Sequence, residues 1–467
     1  MKKILLIFIA VLLVIGLTVG FFALRFYFFK NGRVVLRGTN MCAVADPGYK
    51  FDSWSSGDEN EKIPLLSLKN LFSKPNFEKE KLDLPIVSID TYRKKKIKSK
   101  EVYVDCTVSL CADEELSFEA VSARIKGRGN STFQHDKKPY KIKFDEKISV
   151  LGEGAAKEWT LIANHMDYSL VRNRLAYAVG AAIGLEYTTS ANFVDVYLNG
   201  EYLGVYLLCE QIETGKNRVD IEDSLEVDET GYLIELDARA PDEGEEGIDY
   251  FYSKAASQPY GIKSPDTEDV AFTADRVEFI KNYVDSAYDA LLGTDYSAVC
   301  NYLDVDSFVN GYILDELFKT TDVGFSSFYL YKDAGGKLFR GPIWDYDLSA
   351  GNSIVESAAV PNSIYAGAAN PWYARLLTFP EFREAVGKRL VEVSEEISFV
   401  IDSEFKFFED SKASFERNFV KWDILGECSM EYTSQEVCEL KTFDEQLSYL
   451  KNWLEESLTF VNVEYVK

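Results

Sequence analysis

The hydrophobic period of this chain changes near residue 270, and that change narrows the architectures open to it more than any other feature. Upstream, short runs rich in Val, Ile and Tyr at 84–89, 102–108, 123–126, 193–198, 201–208 and 231–236 alternate as strands do. The runs 193–198 and 201–208 are separated only by Asn199-Gly200, the strongest short hairpin signal because both turn positions need positive φ. One helix is expected in this half, after Asp167. Leu170, Val171, Leu175, Ala178, Val179, Ala182 and Ile183 share one face there, Arg172 and Arg174 fall on the outer face, and Gly184 suits the stop. Downstream, 273–293, 305–319, 373–398, 403–419 and 442–460 carry helical spacing, interrupted by one β segment at 326–345. A β-rich first half followed by a mainly helical second half predicts an α+β protein with two lobes.

The chain is long enough to bury a large core, with 467 residues and 46% hydrophobic content. Its net charge of −25 repels nucleic acid, so a nucleic-acid partner is excluded. The apolar run Ile4–Leu24 has the length of a membrane-crossing helix and ends in bulky aromatic residues, without a small-residue cleavage site. It predicts a single-pass N-terminal membrane anchor over 1–30, a tether over 31–80 and a folded domain over 81–467 on the extracytoplasmic side. Cys106 with Cys111 and Cys428 with Cys438 are each close enough in sequence to be bridged, free buried thiols being the equal alternative. Two histidines leave a Ser-His-Asp mechanism little to draw on.

Three segments carry candidate chemistry. The run Arg124-Ile125-Lys126-Gly127-Arg128-Gly129-Asn130-Ser131-Thr132 enters a Gly-rich turn and returns through Lys138–Phe144, where alternation sets Tyr140, Ile142 and Phe144 on one face and Lys141 and Lys143 on the other. Turn amides and a following lysine can cradle phosphates, and a surface hairpin with solvated lysines is the equal alternative. The second segment, Phe339–Asn352, runs from an apolar stretch into Asp345 and Asp347, hard oxygen donors suited to Mg²⁺. The third holds Asp322, 23 positions before Asp345, at a junction of helix and strand. Helix, loop aspartate, strand, turn and metal aspartate is the order in which a protein kinase presents its base and its metal ligand.

The segments 124–132, Lys137-Lys138-Pro139-Tyr140, Trp159–Asn164, Leu170-Val171-Arg172-Asn173, Tyr197–Tyr206, Gly215-Lys216-Asn217-Arg218 and Ile343–Asp347 together resemble the ordered motifs of the spore coat protein H (CotH) family of atypical protein kinases. That resemblance spans about residues 82–460 and implies an atypical bilobed protein-kinase-like fold that binds ATP with Mg²⁺ or Mn²⁺. The acceptors it implies are Ser and Thr hydroxyls of protein substrates from envelope, coat or secreted material. Carried over by position, Asp322 is the catalytic candidate, Asp345 and Asp347 the metal candidates, and Arg128, Asn130, Ser131, Lys141, Lys143 and Glu210 the nucleotide-binding candidates. Two departures stand out. The helix after Asp167 holds no glutamate to pair with a phosphate lysine, and Ser327 occupies the place of a kinase's second metal-ligand Asn, five after the base. A metal-dependent nucleotide-sugar glycosyltransferase built on Asp345-Tyr346-Asp347, and a non-catalytic envelope module, are the rival readings.

Overall fold

The structure is a computed structural model that describes residues 26–28, 34–36, 84–112, 115–129 and 131–466. Seven strands form a closed barrel: β3 (Ile86–Thr91), β4 (Val104–Ala112), β5 (Glu115–Gly127), β6 (Tyr140–Ile148), β7 (Ala156–Ile162), β8 (Ala191–Leu198) and β9 (Glu201–Glu210), in the order β3-β4-β5-β6-β7-β9-β8. Neighbours are antiparallel except β3 and β8, whose parallel pairing (Ile86 with Asp195 through Ile89 with Leu198) closes the ring. Ile89, Val108, Ile125, Ile142, Phe144, Trp159, Leu161, Val196 and Tyr206 fill the interior. Each such side chain contributes about 1.5–3 kcal/mol by leaving water. The β8–β9 turn takes φ 54° at Asn199 and 84° at Gly200, as its sequence predicts. On β6 the alternation holds, with Tyr140, Ile142 and Phe144 buried and Lys141 and Lys143 half-exposed.

A second, antiparallel sheet runs β11-β12-β10-β13-β14, built from β10 (Tyr232–Leu236), β11 (Tyr250–Phe251), β12 (Tyr260–Ser264), β13 (Phe328–Lys332) and β14 (Leu338–Ile343). Every residue of β10 and β13 is buried, so this sheet is covered on both faces. Leaving aside single turns, the helices are α1 (Arg172–Ala182), α2 (Ala274–Leu292), α3 (Tyr296–Tyr302), α4 (Val305–Phe318), α5 (Pro371–Leu376), α6 (Pro380–Asp410), α7 (Lys412–Lys421) and α8 (Phe443–Tyr465). Helix α4 is buried on all sides from Phe308 to Phe318 and forms the centre of the helical half. Helix α6 joins two segments that the pattern divides, because its apolar stripe Val393, Ile397, Ile401, Phe405 passes unbroken through the gap. The halves are tied by Arg174 to Glu404 at 2.8 Å and by the Val205 N–H donating to Asn418 Oδ1 at 3.1 Å. The alternating β-α order that a nucleotide-sugar site would bring is not found among the described residues.

Three expectations are corrected. No helix among the described residues is long and apolar enough to cross a membrane, which overturns the single-pass anchor and the extracytoplasmic placement that rested on it. The apolar run 4–24 lies outside the described residues, and within the expected anchor β1 (Phe26–Phe28) pairs antiparallel with β2 (Val34–Leu36). Arg172, expected on an outer face, is wholly buried in an ion pair with Asp167 at 2.5 Å. Cys106 is free although Cys111 is disulfide-bonded, since five residues of strand hold the two about 16 Å apart. Cys428 and Cys438 are joined, with Cα atoms 5.0 Å apart.

Candidate functional site

Asp322 is presented by the turn Thr321–Gly324 that follows α4, after Lys319 ends the helix in the left-handed region. Both the N–H and Oγ1 of Thr321 donate to Leu348 O, at 3.0 and 2.8 Å, and Asn370 Nδ2 donates to Val323 O at 2.7 Å. Gly324 lies so close to the backbone of Ala369 and Asn370 that a Cβ would collide with the Ala369 carbonyl. The turn is closed by Phe325 and Ser326 N–H groups donating to the backbone carbonyl of Asp322. Its carboxylate accepts Ser326 Oγ at 3.3 Å and, among the described residues, no backbone N–H. The aspartate therefore does not serve as the cap of its own turn.

Asp345 and Asp347 sit where β14 ends. Asp345 adopts φ 66°, and the loop after it is held by residues around the start of α1. Asn173 Oδ1 accepts the Tyr346 N–H at 2.7 Å, and Arg172 donates to Ser349 O at 2.9 Å and Ala350 O at 3.2 Å. Asn352 Nδ2 spans Met166 O and Asp347 O at 2.9 and 2.7 Å. Asp167 completes this brace by accepting the Arg172 N–H at 2.8 Å, which starts the helix.

Electrostatics joins the pieces. Burial pushes the Asp345 carboxyl up, Arg128 and Arg239 pull it back, and hydrogen bonds with Asp347 and Ser327 favour its charged form. Asp347 is held well above the carboxylate range by burial and then by Asp345, Asp167 and Asp322. Asp322 rises to about 6, through burial first and Asp345 second, against the pull of Arg239. Carboxylates crowded in a poorly solvated place ask for a proton or a cation between them. No group of three or more His, Cys, Asp or Glu among the described residues is arranged to hold an ion by itself. A pair of carboxylate ligands fits Mg²⁺, which commonly takes one or two and fills its shell with water and substrate phosphates.

The barrel supplies a second group. Arg128, just beyond β5, lies 5.2 Å over the Trp344 ring and reaches Asp345 with its charge. Lys141 and Lys143 both pair with Glu158 on β7, Lys143 at 2.6 Å. Glu210 pairs with Arg218 and accepts the Ser190 N–H at 3.1 Å. Arg128 and Arg218 both act on the buried Cys209 thiol, so the two groups adjoin there. Ser131 stands exposed in the turn Ser131–Gln134 and joins neither group, and Asn130 lies outside the described residues. Sequence reasoning did not single out Arg239, Glu158, Glu213 or Asp167. Glu158 lies opposite Lys143 in the β6–β7 ladder, a pairing that only the observed register reveals. Arg239 had no sequence signal either.

A β-rich half joined to a helical half, with buried and half-buried aspartates gathered at a helix end and a strand end, is the arrangement of a kinase-like protein. The chain belongs to the CotH kinase protein family, which matches residues 125–461. It is 26% identical over 283 residues to the inner spore coat protein H of Bacillus subtilis (strain 168), a match covering 60% of this chain and 72% of that protein. Among solved structures, a Helicobacter pylori proinflammatory kinase, CtkA, aligns over 81% of this chain and 97% of its own at 8% identity and a TM-score of 0.26, too distant to bear on the fold.

Proposed function

We propose that this chain is an atypical two-lobed protein kinase that transfers the γ-phosphate of ATP to Ser or Thr hydroxyls of a protein, coat proteins being the class to which its curated relative's name points. The observation that carries this reading is the gathering of Asp322 with Asp345 and Asp347 in one poorly solvated cluster that Arg128 reaches from the barrel. Asp345 and Asp347 would hold Mg²⁺ or Mn²⁺, which supplies charge neutralisation at the phosphate oxygens. Lys141 and Lys143 meet the phosphates, with Glu210 orienting Arg218 nearby. Asp322 orients the acceptor hydroxyl and takes its proton as the hydroxyl oxygen bonds to the γ-phosphorus. The bond from that phosphorus to the bridging oxygen breaks and its electron pair leaves with ADP. A carboxyl near pH 6 is ionised at neutral pH yet more basic than an ordinary aspartate.

Asp322→Asn tests this directly. It leaves ATP affinity within about twofold and lowers phosphotransfer by about 10²–10⁴-fold, the usual weight of a general base. Isotope transfer to a protein acceptor, calorimetry and melting temperature on one preparation separate the outcomes. A stable variant with wild-type turnover removes Asp322 from catalysis.

A further inference from the structure

Arg218 is held by contacts that leave one edge of its guanidinium unused. Its loop is pinched by Gly215 N–H donating to Val219 O at 2.9 Å, and the side chain is 4% exposed. The guanidinium lies 4.8 Å over the Trp159 ring, while Nη1 donates to Asn217 O at 2.7 Å and pairs with Glu210. Nε and Nη2 are buried and have no hydrogen-bond partner. These two atoms form the edge with which arginine takes a carboxylate or phosphate in two parallel bonds.

The group in front of that edge is Glu213. Its Oε1 stands 3.7 Å from Arg218 Nε, beyond hydrogen-bond reach, and the side chain is 32% exposed. Lys141 and Lys143 also act on Glu213, and Glu158 repels it. One partly solvated carboxylate thus faces the arginine within the field of two further cations, without completing a bond to it.

We infer that Arg218 is a phosphate-binding residue of the nucleotide site and that Glu213 is a carboxylate place-holder, displaced when a phosphate of ATP takes the free edge of Arg218. This deepens the kinase reading and rests on it. The incoming phosphate would meet Arg218 with Lys141 and Lys143 nearby.

The test measures Mg²⁺-ATP and adenosine binding by calorimetry to the full chain and to Arg218→Lys and Glu213→Gln. Arg218→Lys keeps the charge but loses the fork, and is expected to weaken ATP by about 10–100-fold while leaving adenosine unchanged. Glu213→Gln removes the competing charge and is expected to tighten ATP about 3–10-fold, again without effect on adenosine. A merely structural Arg218 would move adenosine and ATP together, which overturns the assignment. Should Arg218→Lys fail to fold, Glu213→Gln with unchanged ATP affinity overturns it alone. Wild type that binds no ATP removes the kinase reading and this inference together, whereas wild-type binding with indifferent variants removes only the inference.

Discussion

The two charged groups that adjoin at Cys209 are built in opposite ways. On the aspartate side, Asp345 is answered by Arg128 and Arg239 and Asp322 by Arg239, at longer range, while Asp347 is met by the charges of other aspartates. On the barrel side, Glu158, Glu210 and Glu213 face Lys141, Lys143 and Arg218, and most of these are joined in direct ion pairs. Burial opposes ionisation in both. Glu158 nevertheless falls below the usual carboxylate range because two lysines hydrogen-bond to it, while Asp322 rises to about 6 because its nearest strong influence is another carboxylate. The difference lies in partners rather than in depth. On the proposed reading the aspartate side takes a cation, whereas the barrel side is largely paired at rest, with one edge of Arg218 left open to an anion that competes with its own glutamates.

That contrast can be broken most severely at Asp345. If the aspartate side is finished by a divalent cation, Asp345→Asn lowers Mg²⁺-dependent ATP affinity by about 10³-fold, equivalent to several kcal/mol of metal-mediated stabilisation. Titration with and without a chelator measures it. Equal ATP affinity in wild type and variant would mean that the two sides do not differ in their need for a cation.

A change of the next size comes from Arg172, the ion-pair partner of the Asp167 whose charge bears on Asp347. The pair is wholly buried, so Arg172→Ala leaves an unanswered charge and costs about 3–5 kcal/mol of stability. Chemical denaturation reads the loss directly. A loss below 1 kcal/mol would show that the brace around Ser349 and Ala350 is not what holds the loop after Asp345.

The smallest effect sharpens the comparison through pH. The folded carboxyl of Asp322 titrates near 6, above its ordinary 3.8, so the folded state favours the protonated form. That contribution is fully present below pH 3.8 and is lost as pH rises through 6. Asp322→Asn, which cannot ionise, therefore matches wild type at low pH and exceeds it by about 3 kcal/mol at pH 7 without metal. Melting curves from pH 4 to 8 follow the gap, which added Mg²⁺ should narrow. A gap independent of pH would remove the electrostatic strain assigned to this residue.

Much of this was legible along the chain. Alternation at 140–144 separates the core-facing residues from Lys141 and Lys143, Asn199-Gly200 sets its hairpin, and the 23-residue interval leads from Asp322 to Asp345. The first two are local signals, carried by residues two apart or by a turn's own φ requirement. The sequence alone thereby determined the β-rich and helical halves and the candidate acids. Only the tertiary structure decided that β3 closes the barrel against β8, more than a hundred residues away, and that Arg172 turns inward to Asp167. It alone brought Arg239 to the aspartates and gave both lysines to Glu158. Periodicity records which face of an element is apolar, but the charge partner a buried group finds depends on which distant element is packed against it, and that is settled when the chain closes on itself.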